Sequence, residues 1–182
     1  MPPREGGYVM SVHHFIAANK ELPIGSFGYK WIWKPASELA REGKHGWEQS
    51  QSLQEPYVKV FEKLEDTYGI DIITLDGYDG IKAKFRNKYV YELLCSHHRK
   101  GYRELFTYLD NHLSSDEEIE IYTCLDGHEL QKKDDDLDTM VNLKTLEFNG
   151  QLGKIKLDEK SYITQLGEMF WLREKQYVIV KK

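Results

Sequence analysis

The segment 89–124 constrains this chain more than any other. Its centre, 96–113, carries Tyr102, Leu105, Phe106, Leu109 and Leu113 three and four residues apart, the apolar stripe of an amphipathic helix. Ser96 can cap that helix, although Gly101 weakens its first turn. On one side, 118–124 reads as a strand. On the other, 89–95 opens with Tyr-Val-Tyr and reads as a strand too, although Tyr89, Val90, Leu93 and Leu94 also trace a helical stripe. Strand, helix, strand is the order of a βαβ crossover, whose strands run parallel and end at the same edge.

The remaining segments are shorter. Residues 8–18 read as a first strand and 19–28 as a loop. In 29–34, alternation puts Tyr29, Trp31 and Trp33 on one strand face, which Pro35 ends. A short helix over 36–41 and a polar loop over 42–54 lead to a helix over 56–68. That helix has Pro56 in its first turn, Tyr57, Phe61, Leu64 and Tyr68 as its stripe, and Gly69 beyond its end. Residues 70–75 read as a strand, and 76–80 as a turn into a strand over 81–85. Short strands are expected over 145–148, 154–157 and 161–166, with a closing hairpin of 169–172 and 177–180. The expected fold is therefore α+β: a mostly antiparallel sheet, with one parallel βαβ crossover over 89–124 as an option, packed against two main helices. Residues 1–9 read as an upstream segment before a natural start at Met10, and 10–182 as one domain.

Composition narrows the function classes. With 40% hydrophobic residues, 12 Tyr, 7 Phe and 4 Trp, the 182-residue chain has the material for a core despite 30% charged residues. A net charge of −5 argues against nucleic acid, since generic phosphate-backbone binding needs an excess of Lys and Arg. No apolar run has the length of a membrane helix, and two cysteines do not make a disulfide framework, so a soluble protein of the cytoplasm is expected. Charge is unevenly distributed: residues 110–138 hold eleven carboxylates against Lys132 and Lys133, a net −9.

Candidate site residues fall into three groups. The crossover would bring Cys95, His97 and His98 to the same edge as Cys124, Asp126 and His128, where α/β sites form. Thiols and imidazoles suit zinc or an activated thiolate, yet Cys95-x-His97 and Cys124-x3-His128 do not match zinc-knuckle spacings, and core cysteines at strand ends with solvated histidines are the favoured reading. His13 and His14 are adjacent on a strand and point to opposite faces, so at most one can serve a given site. The stripe Tyr29, Trp31 and Trp33 can stack a planar ligand if exposed, or fill a core. Asp134, Asp136 and Asp138, with Asp135 between, have the first spacings of a calcium loop. That loop fails at its sixth position, Thr139, and its twelfth, Thr145, leaving a solvated acidic segment that can steer a basic partner. Asp76 and Asp79 belong first to a turn. Gly25-Ser26-Phe27-Gly28 lacks the lysine of a phosphate loop, and no nucleophile elbow, kinase, deaminase, zincin or dinucleotide signature is present. The expected function is a non-enzymatic binding or protein-interaction domain for a basic protein, immunity-like or regulatory in kind, needing no cofactor or metal. The alternative is a small metal- or thiol-dependent hydrolase built on Cys95, His97, His98, Cys124 and His128.

Overall fold

The computed structural model describes residues 11–36, 38 and 57–182. Readings of the upstream segment, of the start of the first strand, of Pro56 and of most of 36–54 lie outside these residues. Among the described residues, nine strands form one sheet. They are β1 (Val12–Ala18), β2 (Gly25–Phe27), β5 (Ile70–Thr74), β6 (Tyr89–Cys95), β7 (Glu118–Leu125), β8 (Thr139–Asn142), β9 (Glu147–Gly150), β10 (Gly153–Lys156) and β11 (Tyr177–Lys181), in the order β10-β9-β8-β11-β7-β1-β6-β5-β2. Two further strands, β3 (Ile32–Pro35) and β4 (Tyr57–Val60), pair separately. Helices α1 (Arg99–His112) and α2 (Tyr162–Met169) lie against one face of the large sheet. The fold is thus α+β, with a mostly antiparallel sheet, these two helices packed on it among the described residues, and β8 with β11 as its parallel pair.

The crossover β6–α1–β7 is present in a split form. β1 inserts between its strands and pairs antiparallel with both, His14 facing Leu93 on one side and Thr123 on the other. β6 and β7 therefore run parallel without being neighbours, and both end at the edge where β1 begins. The strands separate two cores. Ile16, Ile72, Leu93, Ile121 and Val178 face the helices with Leu105, Phe106, Leu109, Leu166 and Phe170. Phe15, Ala17, Tyr122, Cys124 and Tyr177 face the other way, covered by Ile81 and Phe85.

Glycine allows two close approaches. At Gly101 a Cβ would stand 2.5 Å from Ser96 Oγ, so the residue that weakens the α1 first turn also lets the chain enter it from β6. At Gly167 a Cβ would meet the Arg99 carbonyl at 2.8 Å, which brings α2 onto α1.

Several local expectations are corrected. Residues 57–68 form β4 and a 3-10 turn, Leu64–Thr67, instead of a helix. Val58 and Val60 alternate along a strand that pairs with β3, and Tyr57, Phe61 and Leu64 are exposed rather than core. Residues 81–85 lie in and just beyond a 3-10 helix, Asp79–Lys84, whose Ile81 plugs the second face. The expected strand at 161–166 is α2, because Ile163, Leu166 and Phe170 pack on α1 and override the β-leaning Tyr-Ile-Thr. Residues 170–172 continue from α2 without strand structure, so no hairpin with β11 forms; β11 pairs with β7 and β8. β2 occupies part of the expected loop, Pro35 lies within β3, and β8 was not anticipated.

Candidate functional site

The carboxyl edge of β6 gathers imidazoles, and the sheet sorts them. His14 faces the helices, is 4% exposed, and places Nδ1 2.9 Å from Thr123 Oγ1. His97, exposed in the loop after β6, has its ring centroid 5.1 Å from that of His14. Tyr102 on α1 holds it: the phenol oxygen accepts the Leu172 N–H at 3.3 Å and stands within hydrogen-bond reach of His97 Nδ1, at 2.9 Å. Burial, helped by the charges of His97 and His13, lowers the pKa of His14 to about 3, so its ring is neutral at physiological pH.

The other predicted edge residues are dispersed. Cys95 lies in the helix-side layer, whereas Cys124 lies in the layer beneath the sheet. His98 stacks on Tyr68 at 3.9 Å and caps α1, accepting the Lys100 N–H at 3.2 Å. His13 turns to the Cys124 side and meets Glu92 at 3.2 Å, and His128 meets Glu174 at 3.1 Å. Both thiols are pushed up to about 12, Cys95 by burial, and Cys124 by burial and then Glu129, which disfavours a thiolate. Among the described residues no group of three or more His, Cys, Asp or Glu is arranged to hold a metal ion. The edge does form an open cleft of about 350 Å³, with His13, His14, Ser96, His97 and Tyr29 in its wall.

Tyr29 links this cleft to the aromatic stripe. Its hydroxyl donates to Asp71 Oδ2 at 2.7 Å, and burial together with Asp71 raises its pKa. Its ring lies 6.4 Å from both Trp31 and Phe61. Because Trp33 pairs with Lys59 and Pro35 with Tyr57, alternation places Trp31, Trp33, Tyr57, Lys59 and Phe61 on one face of the β3–β4 ribbon. That face is open: Trp31 is 37%, Phe61 41%, Tyr57 52% and Trp33 55% exposed. The Lys59 ammonium stands 4.5 Å from the Trp31 ring and 5.5 Å from that of Trp33. Tyr57, Lys59 and Phe61 were missed as site residues because the helical reading of 56–68 hid a strand alternation that the notation Tyr57-x-Lys59-x-Phe61 makes visible.

The acidic segment is solvated and partly self-neutralised. Asp134 caps the 3-10 turn Asp135–Leu137 by accepting the Asp136 N–H at 3.1 Å. Lys133 pairs with Asp135 at 2.7 Å and also with Asp138, and Lys132 reaches Asp135 at 3.4 Å. Lys133 beside it lowers the Asp135 pKa. Asp76 lies in the loop after β5, and Asp79 begins the 3-10 helix. No helix among the described residues is long and apolar enough to cross a membrane. Comparison with protein families, curated proteins and solved structures gives no significant match.

Proposed function

We propose that this chain is a non-enzymatic protein-interaction domain of the cytoplasm, and that it holds its partner on the aromatic face of the β3–β4 ribbon. One observation carries the reading: Trp31, Trp33, Tyr57 and Phe61 share a face and are all more than a third exposed. Residues that large, grouped in the open, leave apolar area in water that a partner can cover, and Trp and Tyr dominate the energetic centres of protein interfaces. The acidic segment adds long-range attraction for a basic partner and acts on association rate more than on affinity. Free thiols at Cys95 and Cys124 suit a reducing compartment.

The test is capture from an extract of the producing organism, comparing wild type with a Trp31→Ser/Trp33→Ser variant and with Asp134, Asp135, Asp136 and Asp138 all changed to Asn. The reading expects a partner retained by wild type and lost with the tryptophans, and retained more slowly by the Asn variant at low salt only. A partner set indifferent to the tryptophans would overturn it.

A further inference from the structure

Where the end of α2, the turn between β9 and β10 and the segment leading into β11 meet, the surface holds a cleft of about 120 Å³. Its apolar side is made by Phe148, Leu152, Met169, Phe170 and Trp171. Phe148 and Phe170 belong to the buried core on the helix side of the sheet, which gives the cleft a fixed aromatic floor. Trp171 is half exposed and yet held in place, its ring 5.8 Å from that of His97 and 5.7 Å from that of Tyr102. Leu152 is more exposed still. Two large apolar side chains thus stand in water beside a buried floor, the composition of a small-molecule site.

The polar side carries one full charge. Arg173 is exposed and, among the described residues, makes no ion pair, although the chain carries a net −5. Its Nη1 donates to the neutral side-chain oxygen of Gln151 instead. No carboxylate lines the cleft: Glu174 pairs with His128 at 3.1 Å, and Glu168 on the last turn of α2 is exposed and outside the wall. The carbonyl end of the eight-residue α2 brings at most about half a negative charge, so the wall stays net positive. Gln176 and Thr139 complete it and are positioned in advance. The Gln176 amide donates to Thr139 Oγ1 at 2.9 Å, and its oxygen accepts the Arg173 backbone N–H at 3.0 Å, which anchors Arg173 at the cleft.

We propose that this cleft binds a small carboxylic acid with a ring-sized apolar body, the body lying against Trp171 and Leu152 and the carboxylate on Arg173. Charge and size choose the class. One guanidinium matches one monoanionic carboxylate, which its planar fork can grip, whereas a phosphate dianion would find no second cation in the wall. A volume of about 120 Å³ is below the roughly 300–1,000 Å³ of a drug-sized pocket, so the ligand is a small one. The site shares no residue with the ribbon face and does not depend on it.

The experiment titrates the isotopically labelled full chain with phenylacetate at constant pH and ionic strength, with phenylacetamide as the control for charge and acetate as the control for the ring. The expected result is a saturable shift of the Trp171 indole N–H and the Gln176 side-chain amide, with Kd in the millimolar range or tighter and both controls weaker by at least about tenfold. Arg173→Gln should weaken phenylacetate by about tenfold or more, the loss of a charge-assisted pair, and leave phenylacetamide unchanged. Because the Arg173 side chain is exposed and bonds only to Gln151 among the described residues, this variant should unfold at the wild-type urea midpoint. N-Acetylphenylalanine carries the same ring and carboxylate at the end of a peptide unit. Weaker binding than phenylacetate assigns the site to a free acid, as proposed; equal or tighter binding assigns it to a chain terminus and overturns that part. Trp33→Ala should bind phenylacetate as wild type does. Phenylacetamide or acetate binding as tightly as phenylacetate, or unchanged affinity in Arg173→Gln, would overturn the site while leaving the aromatic-face reading intact.

Discussion

Glu120 is the residue whose removal should damage this fold most for its size. It lies on the second face of β7 and is completely buried. Four donors converge on its carboxylate. Oε2 accepts the backbone N–H groups of Arg86 and Asn87 at 3.0 and 2.9 Å, and Oε1 accepts Arg86 Nε at 2.9 Å and the Tyr177 hydroxyl at 2.5 Å. The carboxylate thereby fastens the 86–87 turn, which leads from the Asp79–Lys84 helix into β6, onto β7. In Glu120→Ala all four donors lose their acceptor and a void opens beneath the turn. Arg86 is 65% exposed and can turn to water, so its share is small. The two backbone N–H groups and the phenol have less freedom, and truncating a buried, hydrogen-bonded charge costs about 3–5 kcal/mol.

Glu120→Gln separates charge from shape. Its amide oxygen can serve the two backbone N–H groups, which turns its NH2 toward Arg86 and Tyr177. The Tyr177 hydroxyl can rotate to accept, the guanidinium cannot, and a loss of about 2 kcal/mol follows. Urea unfolding midpoints at fixed m-value measure both variants. A Glu120→Ala loss below about 1 kcal/mol would refute the reasoning, since it would mean that water replaces the carboxylate without penalty.

Three further outcomes follow from the same structure. Leu109→Ala, which empties a fully buried site between α1 and the sheet, should cost about 2–5 kcal/mol in the same urea assay. Trp33→Ala, on the open ribbon face, should change stability by no more than about 0.5 kcal/mol while abolishing partner capture. His14 has a folded-state pKa near 3 against an ordinary 6.5, so the unfolded chain binds the extra proton. Its contribution to stability is therefore complete above pH 6.5 and lost as pH falls toward 3, with a slope approaching about 1.4 kcal/mol per pH unit. A His14→Gln variant, whose amide can still reach Thr123, should show a flatter acid limb in pH-dependent denaturation.

How much of this was legible in the sequence depends on whether the deciding contacts are local. α1 was, because its stripe of Tyr102, Leu105, Phe106 and Leu109 is buried as the periodicity predicts and needs no distant partner to define it. Residues 57–68 show the opposite case. Tyr57, Phe61, Leu64 and Tyr68 satisfy a helical period, while Tyr57, Lys59 and Phe61 satisfy a strand period. The choice falls to the strand because β4 finds β3 across a long separation in sequence. α2 was misread for a related reason: Tyr-Ile-Thr favours a strand locally, and only the neighbouring α1 surface settles it as a helix.

The candidate site follows the same logic one level higher. The order β6, α1, β7 correctly implied that both strands end at one edge, but not that β1 would insert between them or which face each residue would take. On β6, Cys95 shares its face with Leu93 and so looks toward the helices; on β7, Cys124 shares its face with Glu120 and Tyr122 and looks away. A one-residue change of register in either strand would have put both thiols on the same side, and nothing within either strand's own sequence selects the register. The insertion of β1 has a positive consequence too. It delivers His14 from the far end of the chain to within ring contact of His97, a pair that neither spacing nor motif could announce because 83 positions separate its members in the numbering of the chain. The grouping at this edge is therefore a product of topology: the loop after β6 supplies His97, α1 supplies Tyr102 at 2.9 Å from it, and β1 supplies the buried imidazole of His14 behind it.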